Sequence, residues 1–221
     1  MEEYKYSPDF FKKEEPKKPE SAFLKLIEEE GVKEDIYNAS LNLAKYLEME
    51  KIPNVMFLDK SSRQSYIGLK EIWKKEYANE PEPNIYFINP DPLKYEADFP
   101  DLAEEFFKKY KNIKLEDPIL LYDNCVHSGG TTTRLKEFFK YLGFSDVRVA
   151  ITSVSSDFPE DKKAELDLIC LPSHAKLGCN PFGRSNYVEE SGSLVVKPSR
   201  KKSARETGRL EHKAIKEVFK D

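Results

Sequence analysis

The sequence of 221 residues has little cysteine and no long hydrophobic run. Three cysteines are too few for a disulfide framework, so we expect reduced thiols. No segment approaches the roughly 20 apolar residues of a membrane-spanning helix. The first twenty residues are rich in Lys, Glu and Pro and have no apolar core, so we expect no signal peptide. These absences favour a soluble protein, and we expect a cytoplasmic location without membrane contact.

The residues that are abundant favour a folded chain. The sequence has 14 Phe, 12 Tyr and one Trp, and disordered low-complexity chains rarely contain so many aromatic residues. We find no internal repeat. The length suggests one domain with an appended cap, because domains usually span about 100–200 residues.

Charge is distributed unevenly along the chain. The formal net charge is −4, yet residues 197–221 contain nine Lys or Arg against four Asp or Glu. Phe219 is the only aromatic residue in that segment, and binding of single-stranded nucleic acid usually needs aromatic side chains for stacking. We therefore interpret the segment as a solvated amphipathic helix, with a basic tail that touches nucleic acid as the alternative.

Short apolar runs alternate with amphipathic helical patterns. The predicted strands are 54–58, 85–88, 119–122 and 147–152. The predicted helices are 21–31, 36–47, 67–73, 102–110, 131–142 and 204–220. This alternation predicts an α/β fold with a parallel sheet. We divide the chain into an irregular arm (1–20), a core with leading helices (21–155), and a hood or cap that is loop-rich to 196 and ends in the basic helix (156–221).

Residues 119–133 contain the clearest chemical signal. A buried-type strand leads to Asp123, and a small-residue loop with two glycines then opens directly into a helix. Glycines let backbone N–H groups approach a ligand closely, and a helix N-terminus offers unsatisfied donors and partial positive charge to a phosphate. Open α/β sheets also bind ligands at strand ends beside a topological switch point. The pattern predicts a phosphate site, with added hydroxyl donors from Ser128, Thr131 and Thr132.

Other phosphate motifs do not fit this segment. It has no Gly-Lys-Ser/Thr of a Walker loop and no Gly-x-Gly-x-x-Gly of a dinucleotide site. A Cys-x5-Arg loop is excluded because Thr131 stands where the arginine would follow Cys125, and the arginine comes only at 134. An ordinary strand–helix turn with glycines is the remaining alternative.

The segment ILLYDNCVHSGGTTT resembles the phosphoribosyl-pyrophosphate-binding motif of the type I phosphoribosyltransferases. In that motif an apolar strand, two acidic residues and two apolar residues precede a Thr/Ser-rich loop. The following helix and strand extend the match to residue 154. The resemblance implies a type I phosphoribosyltransferase-like core with N-terminal helices and a C-terminal hood. It also implies transfer of the phosphoribosyl group to a nitrogenous acceptor, with release of pyrophosphate.

The resemblance also implies roles for individual residues. The candidate catalytic residues are Asp123 and Asn124, which would face the ribose hydroxyls, and His127, which would carry a proton at the acceptor. His127 as a loop histidine that only donates to backbone is the alternative. The 5′-phosphate would be held by Ser128, Gly129, Gly130, Thr131 and Thr132. Pyrophosphate would be held after the first core strand by Lys60, Ser61, Ser62 and Arg63, unless these belong to a solvated loop.

The expected partners follow from the same resemblance. They are phosphoribosyl pyrophosphate, which brings Mg²⁺ with it so that no direct protein ligand to a metal is predicted, and a nucleobase-like or other small acceptor. Members of the family often pair, so a homodimer is an open alternative.

One position departs from the motif. Asn124 replaces the second acidic residue, and an amide can hydrogen-bond a hydroxyl but adds no negative charge. A regulatory protein that senses phosphoribosyl pyrophosphate or a nucleotide without turnover is therefore the alternative function. A further alternative is an interaction protein that uses its basic C-terminal helix and keeps only a vestigial phosphate loop.

Two segments of the predicted hood give weaker signals. The set Cys170, His174 and Cys179 does not have a usual zinc spacing, so we interpret these cysteines as incidental thiols. Residues 177–187 are rich in Gly, Asn and aromatic residues. They are either a base-binding loop, with stacking on Phe182 or Tyr187, or a plain surface loop.

Overall fold

The computed structural model describes residues 22–58, 62–90, 98–126, 129–155, 158–172, 177, 187–190, 193–196 and 202–220. The strands are β1 Asn54–Leu58, β2 Asn84–Ile88, β3 Ile119–Val126, β4 Val147–Val154, β5 Leu168–Ile169, β6 Tyr187–Glu190 and β7 Ser193–Val196. The helices are α1 Ala22–Leu26, α2 Val32–Met49, α3 Arg63–Glu76, α4 Phe99–Lys109, α5 Gly130–Tyr141, α6 Glu160–Lys163 and α7 Lys202–Val218. The predicted arm at 1–20 lies outside the described residues.

The first five strands form one parallel sheet with the order β2-β1-β3-β4-β5. The chain moves outward from β1 to β2 and then crosses back to β3 on the other side of β1. The topological switch point therefore lies between β1 and β3, where Phe57 pairs with Tyr122. Every residue of β1 is buried, as its continuous apolar run predicts. The predicted α/β class with a parallel sheet is confirmed.

Helices cover both faces of the sheet. Val55, Phe57, Leu120 and Tyr122 share one hydrophobic cluster with residues of α2, α3 and α7. The alternate residues of the same strands, including Met56, pack with α4 and α5 on the other face. Among the described helices, none has both the length and the apolar composition that a membrane span requires.

The C-terminal helix α7 is amphipathic, as its sequence predicts. Ile215 and Phe219 are buried in the cluster with α2 and α3, whereas Lys213 and Lys216 are exposed. Among the described residues of α7, most of the basic side chains therefore face solvent. The apolar side chains attach the helix to the core.

The structure corrects the predicted ends of β3. The strand continues to Val126 instead of ending at Tyr122, because Cys125 pairs with Ser153 and Val126 with Val154 on β4. The region 155–196, predicted to be loop-rich, also contains α6, β5 and the antiparallel hairpin β6–β7. These elements have two to four residues each, which is too short to show a reliable periodicity.

Helices α2 and α3 approach closely at Gly68. A Cβ atom at this position would lie 2.1 Å from the Oγ of Ser40 on α2. The Ser40 hydroxyl is buried and donates to the carbonyl of Ile36 at 2.8 Å. A side chain at position 68 would therefore displace the Ser40 hydroxyl or push the two helices apart. Helix α3 begins directly beside the switch point.

Two of the three cysteines are in different chemical states. Cys170 is a free thiol, and burial raises its pKa to about 12. Cys125 takes part in a disulfide bond, so the expectation of reduced thiols is wrong at this residue. Whether two cysteines join depends on their distance in the fold, which the number of cysteines does not reveal. His174 and Cys179 of the weak zinc pattern lie outside the described residues.

The buried Cys170 thiol predicts a loss of stability at high pH. The thiol ionises near its ordinary pKa of 9.0 in the unfolded chain and at about 12 in the folded protein. Its contribution to stability is therefore fully present below pH 9 and is lost as the pH rises towards 12, because only the unfolded state releases the proton in that range. The urea midpoint should fall more steeply between about pH 9 and pH 11 in the wild type than in Cys170→Ala. Parallel pH dependence of the two proteins would contradict this prediction.

Candidate functional site

Strands β1 and β3 are neighbours that end at the same edge of the sheet, and β3 continues to Val126, beyond its last pair with β1 at Phe57 and Tyr122. The two segments predicted to bind the two ends of phosphoribosyl pyrophosphate follow these adjacent strands, after Leu58 and after Val126. Lys60, Ser61, His127 and Ser128 lie outside the described residues. The strand order thus brings the starting points of both predicted loops to one edge of the sheet.

Helix α5 begins in the segment predicted to hold a phosphate, and it starts at a glycine turn. Gly129 is the N-cap residue, and its φ of 78° lies in the left-handed region that favours glycine. As a glycine it makes no side-chain cap hydrogen bond, and the first turn of α5 contains no acidic residue. The partial positive charge of the helix N-terminus is therefore not offset by the cap residue or by the first turn.

The two predicted threonines of this helix differ in exposure. The Thr132 hydroxyl is buried and donates to the Gly129 carbonyl at 2.8 Å, so it stabilises the turn itself. Thr131 is half-buried, and Gly130 is exposed. Their predicted contact with phosphate stays a prediction.

The side chains of Asp123 and Asn124 project from opposite faces of β3, as those of successive strand residues do. Asp123 is half-buried, and its Oδ1 accepts the backbone N–H of Asn124 at 2.7 Å. Asn124 is 2% exposed. Its Oδ1 accepts the hydroxyl of Ser65 at 2.7 Å and that of Thr152 at 3.4 Å. The predicted contact of both residues with ribose is not tested by this geometry and stays a prediction.

The start of α3 shows one buried and one exposed member of the predicted pyrophosphate segment. Ser62 is fully buried, and its hydroxyl donates to the Tyr122 carbonyl at 3.4 Å. Arg63 is exposed, and its guanidinium lies 5.6 Å from the ring centroid of Phe87 on β2, a cation–π distance. This packing holds the Arg63 cation near the N-terminus of α3, at the same edge of the sheet as the start of α5.

Several residues around the site were not singled out by the sequence. Ser65 and Thr152 are hydrogen-bonded to Asn124, and the Tyr122 hydroxyl lies 2.6 Å from the Thr152 Oγ1. Burial raises the pKa of Tyr122 well above its ordinary value, so its phenol stays neutral.

On the opposite side of α3, Gln64 donates to Glu211 of α7 at 3.3 Å.

The segment after β4 lies against the end of β3 and the start of α5. The backbone N–H of Ser155 donates to the carbonyl of Val126 at 3.2 Å. A Cβ atom at Gly129 would lie 3.5 Å from the Phe158 ring and 3.6 Å from the Lys162 side chain.

The described residues include no group of three His, Cys, Asp or Glu side chains placed to hold a metal ion. Most of the predicted base-binding loop, 177–187, lies outside the described residues.

No protein-family model matches the sequence, and no curated protein matches it. Solved structures do match. A purine phosphoribosyltransferase from Pyrococcus horikoshii is 14% identical with a TM-score of 0.38, over 61% of this chain and 80% of that chain. The hypoxanthine phosphoribosyltransferase of Trypanosoma cruzi is 11% identical with a TM-score of 0.41, over 64% and 76%. A hypoxanthine-guanine phosphoribosyltransferase from Schistosoma mansoni is 16% identical with a TM-score of 0.39, over 62% and 59%.

Proposed function

We propose that this protein binds phosphoribosyl pyrophosphate at the carboxyl edge of its sheet and transfers the phosphoribosyl group to a nitrogenous, nucleobase-like acceptor, releasing pyrophosphate. The observation that supports this most is that two helices begin after the two adjacent strands of the switch point. Helix α5 begins after β3 at Gly130, and α3 begins after the adjacent strand β1 at Arg63. Because β1 and β3 are neighbours, the loops that follow them leave the same edge of the sheet and then lead to α3 on one face and to α5 on the other.

Each end of the ligand has a matching group in this proposal. The 5′-phosphate accepts backbone N–H groups at the start of α5, where the helix dipole favours an anion. The pyrophosphate, with the Mg²⁺ that it brings, lies at the start of α3 near Arg63. With its two phosphate ends held by Arg63 and by the backbone N–H groups of α5, the ribose lies between the two loops in a fixed orientation.

The reaction is a substitution at C1 of the ribose. The bond from C1 to the pyrophosphate oxygen breaks, the acceptor nitrogen forms a bond to C1, and the proton of that nitrogen passes to His127 or to solvent. Positive charge develops on the ribose ring as the leaving group departs. The half-buried carboxylate of Asp123 stabilises that charge.

Binding of phosphoribosyl pyrophosphate should require the open start of α5. In Gly130→Trp the indole would occupy the space at this exposed helix start, so we expect an interaction weaker by at least about 100-fold. Gly208→Trp is the matched control, because Gly208 lies on α7 and a Cβ atom added there would have no neighbouring atom within 4 Å. The measurement is calorimetric titration with phosphoribosyl pyrophosphate, with and without Mg²⁺. Micromolar binding corresponds to about −8 kcal/mol and is readily observed.

The outcomes of this titration separate the proposal from its failure. Binding by the wild type and by Gly208→Trp, but not by Gly130→Trp, supports the site. Absence of binding by the wild type overturns the proposal.

A binding protein without turnover is the second candidate function. It is favoured by Asn124, which leaves Asp123 as the one carboxylate at the two positions that are acidic in the family motif. Release of pyrophosphate, measured with a panel of purine and pyrimidine bases, separates the two functions. Tight binding of phosphoribosyl pyrophosphate with no release for any base would favour a sensor.

A further inference from the structure

We infer that Asn124 and Ser65 are positioning residues that hold the start of α3 in register with the end of β3. The inference rests on the proposed function, because these two elements lead to the two loops that would bind the opposite ends of one ligand. Asn124 stands at the second acidic position of the motif, and the inference gives it a structural role in joining α3 to β3.

The contacts form a continuous buried polar cluster, which consists of Ser65, Asn124, Thr152 and Tyr122. The Ser65 hydroxyl donates to Asn124 Oδ1 at 2.7 Å, and the Thr152 Oγ1 lies 3.4 Å from the same oxygen. The hydroxyls of Thr152 and Tyr122 lie 2.6 Å apart. All four residues are at most 7% exposed. The cluster therefore connects α3, β3 and β4 beneath the edge where the loops begin.

Two hydroxyls attach the start of α3 to β3. Ser62 donates to the Tyr122 carbonyl, and Ser65, three residues later and on the same face of the helix, donates to Asn124. A shift of α3 along β3 would break both bonds and leave buried polar groups unsatisfied, which is costly. Ser65 and Asn124 thus set the distance between the start of α3 and the strand that leads into the phosphate cradle.

Helix α3 is also held from the opposite side. Gln64 donates to Glu211 on α7, and Glu71 pairs with Lys216 at 3.7 Å. These contacts attach α3 to another helix and do not determine its position along β3. The contact between Ser65 and Asn124 joins two side chains directly across the boundary between α3 and β3.

The burial of the cluster explains why an amide suits this position. Asn124 Oδ1 accepts hydroxyl hydrogens as a carboxylate would, and the amide brings no negative charge into a site that is 2% exposed. The departure from the two-acid motif is therefore consistent with a change of role, from facing the sugar to joining α3 and β3.

Ser65→Ala tests the inference, with Ser40→Ala as the matched control. Both variants remove a buried serine hydroxyl from the same helical layer, but the Ser40 hydroxyl donates within α2, to Ile36. Ser65→Thr keeps a hydroxyl and serves as the rescue variant. Calorimetry is performed with three probes: phosphoribosyl pyrophosphate, ribose 5-phosphate and inorganic pyrophosphate. Amide hydrogen exchange over residues 62–66 is measured on the same proteins without ligand.

We expect Ser65→Ala to bind phosphoribosyl pyrophosphate about tenfold more weakly, as the loss of one buried hydrogen bond allows. Ribose 5-phosphate and pyrophosphate, which each use one loop, should change less than about twofold by the same reasoning. Ser40→Ala should bind all three probes as the wild type does, and Ser65→Thr should recover most of the loss. Exchange over 62–66 should rise in Ser65→Ala and stay unchanged in Ser40→Ala.

Failure of this inference differs from failure of the proposed function. If the wild type binds phosphoribosyl pyrophosphate and Ser65→Ala binds it equally well, or loses the two fragments to the same extent, positioning by Ser65 is wrong and the proposed function stands. If the wild type does not bind phosphoribosyl pyrophosphate, the proposed function fails, and hydrogen exchange alone tests whether Ser65 joins α3 to β3. Unchanged exchange over 62–66 in Ser65→Ala then overturns the link between α3 and β3.

Discussion

Asp123→Asn is expected to lower the turnover of phosphoribosyl transfer by at least about 100-fold while leaving the thermal midpoint close to that of the wild type. The substitution keeps the size of the side chain and an oxygen that can accept the backbone N–H of Asn124, so the end of β3 should keep its shape. Only the negative charge is lost. Preorganised groups that stabilise transition-state charge typically contribute factors of about 100 to 1,000 in rate. The measurements are kcat, the Kd for phosphoribosyl pyrophosphate and the thermal midpoint.

Asp167→Asn is the matched control for this experiment. Asp167 is also a partly exposed carboxylate that accepts a backbone N–H of a strand, that of Val149 at 2.7 Å, but it precedes β5 and is not part of the two predicted loops. Its replacement should leave turnover within about twofold, because no charge at the reacting sugar changes. Wild-type turnover in Asp123→Asn would show that this carboxylate does not stabilise the transition state.

Gly68→Val is expected to lower the free energy of unfolding by about 3 kcal/mol, at the upper end of the usual cost of overpacking. The first added atom would lie 2.1 Å from Ser40 Oγ and 3.4 Å from the ring of Phe219. Helices α2 and α3 would have to separate, which also disturbs the docking of α7. Urea unfolding with a common m-value measures the effect.

The control for this substitution is Gly208→Val. The residue lies on α7, and an added Cβ would have no neighbouring atom within 4 Å, so the same chemical change should alter stability by no more than about 0.5 kcal/mol. Removing the Ser40 hydroxyl in a Gly68→Val, Ser40→Ala double variant should recover part of the loss, since the two sites are in direct contact. Equal stability of the two glycine variants would show that the close approach of α2 and α3 does not constrain the fold.

Local patterns in the sequence determined the class of the fold and the edge where the candidate site lies. The continuous apolar run at 54–58 indicates a buried strand without knowledge of its neighbours, and the structure places β1 there. Residues 119–133 similarly predicted a strand followed by a helix that begins at a glycine loop, and Gly129 adopts the left-handed φ of such a turn. These features depend on hydrophobic periodicity and on the backbone freedom of glycine, which act over a few residues.

Only the tertiary structure decided which polar residues surround the site and how they are connected. Ser65 and Asn124 are separated by 59 positions, and Thr152 lies 28 positions beyond Asn124. A hydroxyl or amide has the same sequence appearance whether it is exposed or buried. The strand order places β1 beside β3, and β3 beside β4, and this arrangement brings the hydroxyls to one asparagine. The contacts of Asn124 therefore follow from long-range packing, whereas the glycine turn at the start of α5 follows from local chemistry.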